Sequence, residues 1–132
     1  MKKLFVLVFA IALCLGALCV GASASGAEPP PQVDGVYQLD SDDDLYWFAG
    51  LVNGGDYDAN AKLTKNITIN ENVLNENGEL NSASSFTQWT PICGKKIKDY
   101  VYTEYTGTFD GGNHTISGLY YDGDGDYAGL FG

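Results

Sequence analysis

The sequence predicts a mainly β chain wound into a solenoid, with one α-helix capping its N-terminal side. Three observations carry the prediction. The stretch from Tyr105 to Leu119 places Phe109 before a dense turn, Asp110-Gly111-Gly112-Asn113, and then sets Ile116 and Leu119 around a Ser117-Gly118 break. Strands of two or three residues separated by corners are what winding requires, whereas a hairpin would keep strict alternation on both sides of a two-residue turn. Earlier in the chain Leu63, the corner Lys65-Asn66 and the strand Ile67-Thr68-Ile69 give a less regular version of the same arrangement. A single amphipathic helix precedes both, and a solenoid's first coil has an apolar end and unpaired edges that a helix can cover. An ordinary α+β packing helix would use the same apolar stripe and differ only in what the stripe meets.

Residues 1–27 have the layout of a signal peptide: Lys2 and Lys3, an apolar run from Leu4 to Val20, and small-residue exits at Ala22-Ser23-Ala24 and Ser25-Gly26-Ala27. The run sits at the lower limit for spanning a bilayer, and the polar exit favours cleavage over anchoring. Cys14 and Cys19 each follow a leucine, where a lipid-attachment site needs a small residue. Cleavage leaves Cys93 alone, so no internal disulfide is available to the mature chain. Beside Ile92, Cys93 is expected to be buried and inert rather than a nucleophile.

Of the seven lysines two precede the cleavage point, leaving five against 17 acidic residues, a net charge of −12, and the chain has no arginine. That balance argues against nucleic acid and anionic membranes, which need cationic contacts to phosphate. It favours solubility and weak uptake of divalent cations.

Residues 28–35 read as a Pro-rich linker, and residues 36–60 as the cap. Val36 to Leu39 is a short strand candidate. Ser41 can accept from an exposed backbone N–H, Asp44 sits at the capping-box position, and Asp42, Asp43 and Asp44 complement the positive helix end. Leu45, Phe48, Ala49 and Val52 follow i, i+3, i+4, i+7 spacing, so the helix should run to about Val52 and close on Asn53-Gly54-Gly55. Residues 61–132 are then the first coils. Asn70 to Ser85 is polar, and its asparagines do not recur at a fixed spacing, so it reads as a solvent-side loop. Lys95 to Tyr105 reads as a two-stranded excursion or edge strand with Tyr100, Tyr102 and Tyr105 largely alternating with polar residues.

Trp89-Thr90-Pro91-Ile92, then Tyr105-Thr106-Gly107-Thr108-Phe109-Asp110-Gly111-Gly112-Asn113-His114-Thr115-Ile116, then Gly129-Leu130-Phe131-Gly132 together resemble the start of a GLUG-repeat bacterial surface protein. The resemblance covers about Val36 to Gly132. It implies a right-handed parallel β-helix, exported to the cell surface, in which a Gly-Leu-apolar-Gly tetrad recurs once per coil and a helix precedes the first coils. Two departures stand out: Cys93 is inserted before Gly94, and only one clear tetrad is present. The resemblance therefore implies a truncated fragment, incomplete at its C-terminal side.

Candidate chemistry is sparse. Asp122, Asp124 and Asp126 have the alternate-residue spacing of a calcium loop, but Tyr127 occupies the position where such a loop wants glycine, so a solvated acidic turn explains them better than a calcium site. Asp110 and Asp122 could pair as catalytic carboxylates, although no spacing fixes them in one cleft. His114 reads as a corner residue. Tyrosines and tryptophans could stack on sugar rings, or pack on strand faces. The expected function is a non-catalytic scaffold or adhesin-like module, without cofactor, whose partners are host or cell-wall glycans or surface proteins. The alternative is the N-terminal part of a polysaccharide lyase or hydrolase whose catalytic coils lie elsewhere.

Overall fold

A computed structural model describes residues 28–81, 85–99, 101–123 and 128–132, so the expected signal peptide lies outside the described residues. The first element departs from the expected linker. Gln32–Val33 (β1) pairs antiparallel with Val36–Leu39 (β2). Asp34 and Gly35, at φ 52° and 80°, supply the two left-handed residues that a tight hairpin turn needs.

Helix α1, Asp42–Asn53, starts as its sequence demands: Ser41 is extended and its hydroxyl accepts from the Asp44 N–H. The Asp44 carboxylate reaches back to the Asp40 N–H at 3.0 Å, one residue beyond a standard capping box. At the other end the left-handed residue falls later than Asn53-Gly54. Gly54 keeps helical φ, and Gly55 turns at φ 122°. Leu45, Phe48, Ala49 and Val52 are the buried stripe, and each of the three larger side chains contributes about 1.5–3 kcal/mol by leaving water.

Asn60–Leu63 (β3) runs parallel to β2 with Val36 opposite Asn60 and Leu39 opposite Leu63. Ile67–Thr68 (β4) follows after a corner. The polar loop then turns around Asn75, whose Oδ1 accepts from the Asn77 and Glu79 N–H groups, with Leu74 bridged to Leu80. Lys96–Lys98 (β5) and Val101–Tyr102 (β6) form a short antiparallel arm, and Tyr100 between them lies outside the described residues.

The chain then passes over the same ground again. Phe109–Asp110 (β7) lies parallel on β3, Ala61 opposite Phe109, and Ile116–Ser117 (β8) lies parallel on β4, Ile67 opposite Ile116. A third parallel bridge joins Ile92 to Phe131. An inner pass, from Asn60 to Cys93, thus carries an outer pass, from Thr106 to Gly132. The strands make one four-stranded sheet in the order β1-β2-β3-β7 and two two-stranded pairs, β4-β8 and β5-β6. The core is the interior of the inner pass: Ala61, Leu63, Ile67, Trp89 and Ile92 are buried together with the stripe of α1.

Candidate functional site

Two motifs singled out in the sequence lie against one another. Trp89 is fully buried, its indole N–H donates to the Gly129 carbonyl at 3.0 Å, and its backbone N–H donates to the Tyr120 carbonyl at 2.7 Å. Ile92 donates to the Leu130 carbonyl and accepts from the Gly132 N–H. The Trp-Thr-Pro-Ile segment is the seat, and the Gly-Leu-Phe-Gly tetrad is what sits on it. The tetrad's last glycine is required by space, since a Cβ on Gly132 would come within 2.7 Å of the Cys93 carbonyl.

Cys93 sits in a left-handed turn, at φ 62°, followed by Gly94 at φ 71°. Asn53, the last residue of α1, pins that turn by accepting from the Cys93 N–H at 2.8 Å and donating to the Pro91 carbonyl at 3.1 Å. Burial pushes the Cys93 thiol up, against a smaller opposing effect of Thr103, so at neutral pH it is a thiol and a poor nucleophile.

Asp110 and Asp122, the two candidate catalytic residues, are held by different partners, Asp110 through its carboxylate and Asp122 through its backbone. Asp110 accepts from the Gly112 N–H at 2.9 Å and pairs with Lys62 at 3.2 Å, and those contacts, Gly112 first, hold its carboxyl below the usual range. The Asp122 N–H donates to Gln88 Oε1 at 3.3 Å. His114 closes a turn through its backbone N–H to the Gly111 carbonyl. Of the calcium candidates, Asp122 is described, whereas Asp124 and Asp126 lie outside the described residues. Among the described residues no group of three or more His, Cys, Asp or Glu is placed to hold a metal ion.

Sequence reasoning missed three asparagines at the corners of the inner pass. Asn60 accepts from the Thr108 N–H, Asn66 from the Thr115 N–H, and Asn70 donates to the Gly118 carbonyl, all between 2.8 and 3.0 Å. Each side chain satisfies backbone of the outer pass where it rounds a corner. Two of these are residues the loop and corner readings had treated only as turn formers. Their partners lie 48 or 49 residues away, and the partner positions are not asparagines, so no repeat marks them.

Open depressions lie on the surface of the described residues. One, of about 590 Å³, lies beside Thr68, Asn70 and Leu74 at the rim of β8. Another, of about 460 Å³, is lined by Cys93, Tyr102, Glu104, Tyr105 and Phe131. Tyr105 and Phe131 stack there at 5.2 Å. The Tyr105 hydroxyl donates to the Ala59 carbonyl at 2.8 Å, and burial, with Cys93 adding to it, pushes its pKa up to about 12. The groove offers apolar ring surface with one carboxylate at its edge, a combination suited to binding rather than to proton transfer. No helix among the described residues is long and apolar enough to cross a membrane. No protein-family model matches the chain, and neither do the curated proteins or solved structures compared with it.

Proposed function

We propose that this chain is an exported, non-catalytic module of the bacterial cell surface, the helix-capped start of a right-handed parallel β-helix serving as scaffold or adhesive surface. The observation that carries the reading is the stacking of one pass on another through three parallel contacts, at Ala61/Phe109, Ile67/Ile116 and Ile92/Phe131. Parallel neighbours joined by a crossover are almost always right-handed. The seating of the Gly-Leu-Phe-Gly tetrad on Trp89 and Ile92 gives the GLUG resemblance a physical basis. The cap reading draws support from α1, which is bonded to the inner pass at Pro91 and Cys93 and buries its stripe there.

Of the carboxylates that first suggested chemistry, Asp110 holds a turn and a neighbouring lysine, which supports a role in winding. The exported protein incubated with neutral and acidic polysaccharides, with and without calcium, is expected to release neither new reducing ends nor unsaturated sugars. Retention on cell-wall glycan would specify the adhesive form, and turnover of any of these polymers would overturn the non-catalytic reading.

A further inference from the structure

β7 and β8 are the outermost strands of their sheets, so among the described residues the outer pass presents one unpaired backbone edge on each. The face beside those edges is apolar and half covered. Phe109, Ile116, Leu119 and Leu130 are partly buried, and Phe131 is 38% exposed. From Thr106 to Tyr121 the only carboxylate or lysine is Asp110, and Lys62 neutralises it. The rest of the chain is strongly acidic, so copies approaching by other faces repel each other.

A second observation points the same way. The β5–β6 arm is rooted at the rim of this face, where Gly94 and Lys95 bond to Thr103 beside Phe131. It carries Lys95, Lys96 and Lys98, three of the chain's seven lysines. Lys95 and Lys98 form no ion pair among the described residues. Ile97 is 65% and Val101 50% exposed, and a two-stranded ribbon with both sides in water is marginal on its own.

We propose that the open side of the outer pass is a docking face for a second copy of this chain, with each lysine-bearing arm lying along the acidic body of the other. A two-fold pairing is self-complementary. It sets β7 and β8 antiparallel to their counterparts, covers the apolar face and buries edges that would otherwise template open-ended association. The opposite charges of arm and body supply the orientation. This inference assigns to a second copy the edge on which a further coil would stack, so the two occupants exclude each other there; its failure leaves the scaffold reading standing, and polysaccharide turnover would strike that reading and not this one.

Sedimentation of the exported protein, its N-terminus fixed by intact mass, tests it from low micromolar to several hundred micromolar. A dimer is expected. Phe131→Asp should weaken it about tenfold or more, with near-ultraviolet circular dichroism around buried Trp89 unchanged. Lys95→Glu combined with Lys98→Glu should weaken it at low salt, with the difference from wild type shrinking at high salt. A chain that stays monomeric throughout overturns the proposal. So does association indifferent to both variants, or growth into open-ended polymers. A monomer that instead binds a synthetic peptide of residues 106–119 along its edge would assign the face to a further pass of chain and likewise overturn it.

Discussion

The inner and outer passes set similar residues at matching positions and leave them in different surroundings. Ile67 and Ile116 face each other in register, yet Ile67 is 2% exposed and Ile116 only partly buried. Ile92 is fully buried where its partner Phe131 is 38% exposed. The cause is what lies over each pass. α1 covers the inner one, and because Ala61 is small, Phe48 reaches across to ring centroids 6.0 Å from Phe109 and 6.4 Å from Tyr105. The outer pass has the inner one on one side and its own free edge on the other. Apolar patterning therefore specifies which way a side chain points, while burial is decided by the next layer.

The largest effect that tests this contrast is truncation of the paired isoleucines. Ile67→Ala should cost about 3 kcal/mol, within the range for a fully buried aliphatic side chain, and Ile116→Ala about half as much. Denaturant unfolding of dilute protein, followed by tryptophan fluorescence, measures both. Equal losses would break the comparison. A gap that closes as protein concentration rises would sharpen it, because a second copy would then be burying Ile116.

Glycines give the next contrast. Gly118 sits at φ 73°, and a Cβ there would fall 1.9 Å from the Asn70 carbonyl oxygen, in the backbone of the inner pass. Gly111, at the neighbouring corner, has nothing within 4 Å of its would-be Cβ. Gly118→Ala is expected to cost about 2 kcal/mol or more, combining the left-handed penalty with the clash. Gly111→Ala should stay within about 0.5 kcal/mol of neutral. Thermal melts of the two variants decide whether contact between passes, rather than corner geometry alone, sets the requirement.

What could be read beforehand follows from range. α1 was legible from Ser41 and the four-residue stripe because helix start, period and stop are local. The corner Asp110-Gly111-Gly112-Asn113 was legible for the same reason, and the structure makes it one, with Gly112 and Asn113 both left-handed. β1 was hidden by Pro29-Pro30-Pro31, whose composition reads as linker although Asp34-Gly35 turns the chain back on itself. The Asn60, Asn66 and Asn70 bridges and the Lys62–Asp110 pair were not legible. The polar loop and the arm lie between each of these residues and its partner 48 or 49 positions on, beyond the reach of any local pattern. The reading of Asp110 as a corner residue needed no such partner, and its lysine became visible only once two passes lay side by side.

Those asparagine bridges give a smaller effect. Asn66→Ala removes the acceptor for the Thr115 N–H and should cost about 1 kcal/mol, the net worth of one hydrogen bond. Thr115→Ala keeps the backbone donor and should be close to neutral. Hydrogen exchange at the Thr115 amide is the direct readout: faster in Asn66→Ala, unchanged in Thr115→Ala. Equal acceleration in both would mean that the bridge does not hold the outer pass.

The smallest effects are on pH dependence. Tyr105 prefers its neutral form when folded, since its pKa moves from 10.0 to about 12. Its contribution is therefore complete below pH 10 and is lost as pH climbs toward 12. Asp110 works in the opposite sense. Its folded pKa lies below the ordinary 3.8, so its contribution is present above that value and disappears as pH falls through the lower folded one. Both Lys62 and Asp110 are about half exposed, and such pairs are weak and screened by salt. Because the Gly112 N–H still bonds the Asp110 carboxylate when the lysine is gone, Lys62→Met should raise the Asp110 pKa only part of the way back. An NMR titration of the Asp110 carboxyl in both proteins reads this directly. A complete return to the ordinary value would make the lysine of the inner pass, rather than the outer pass's own turn, the group that holds Asp110 ionised.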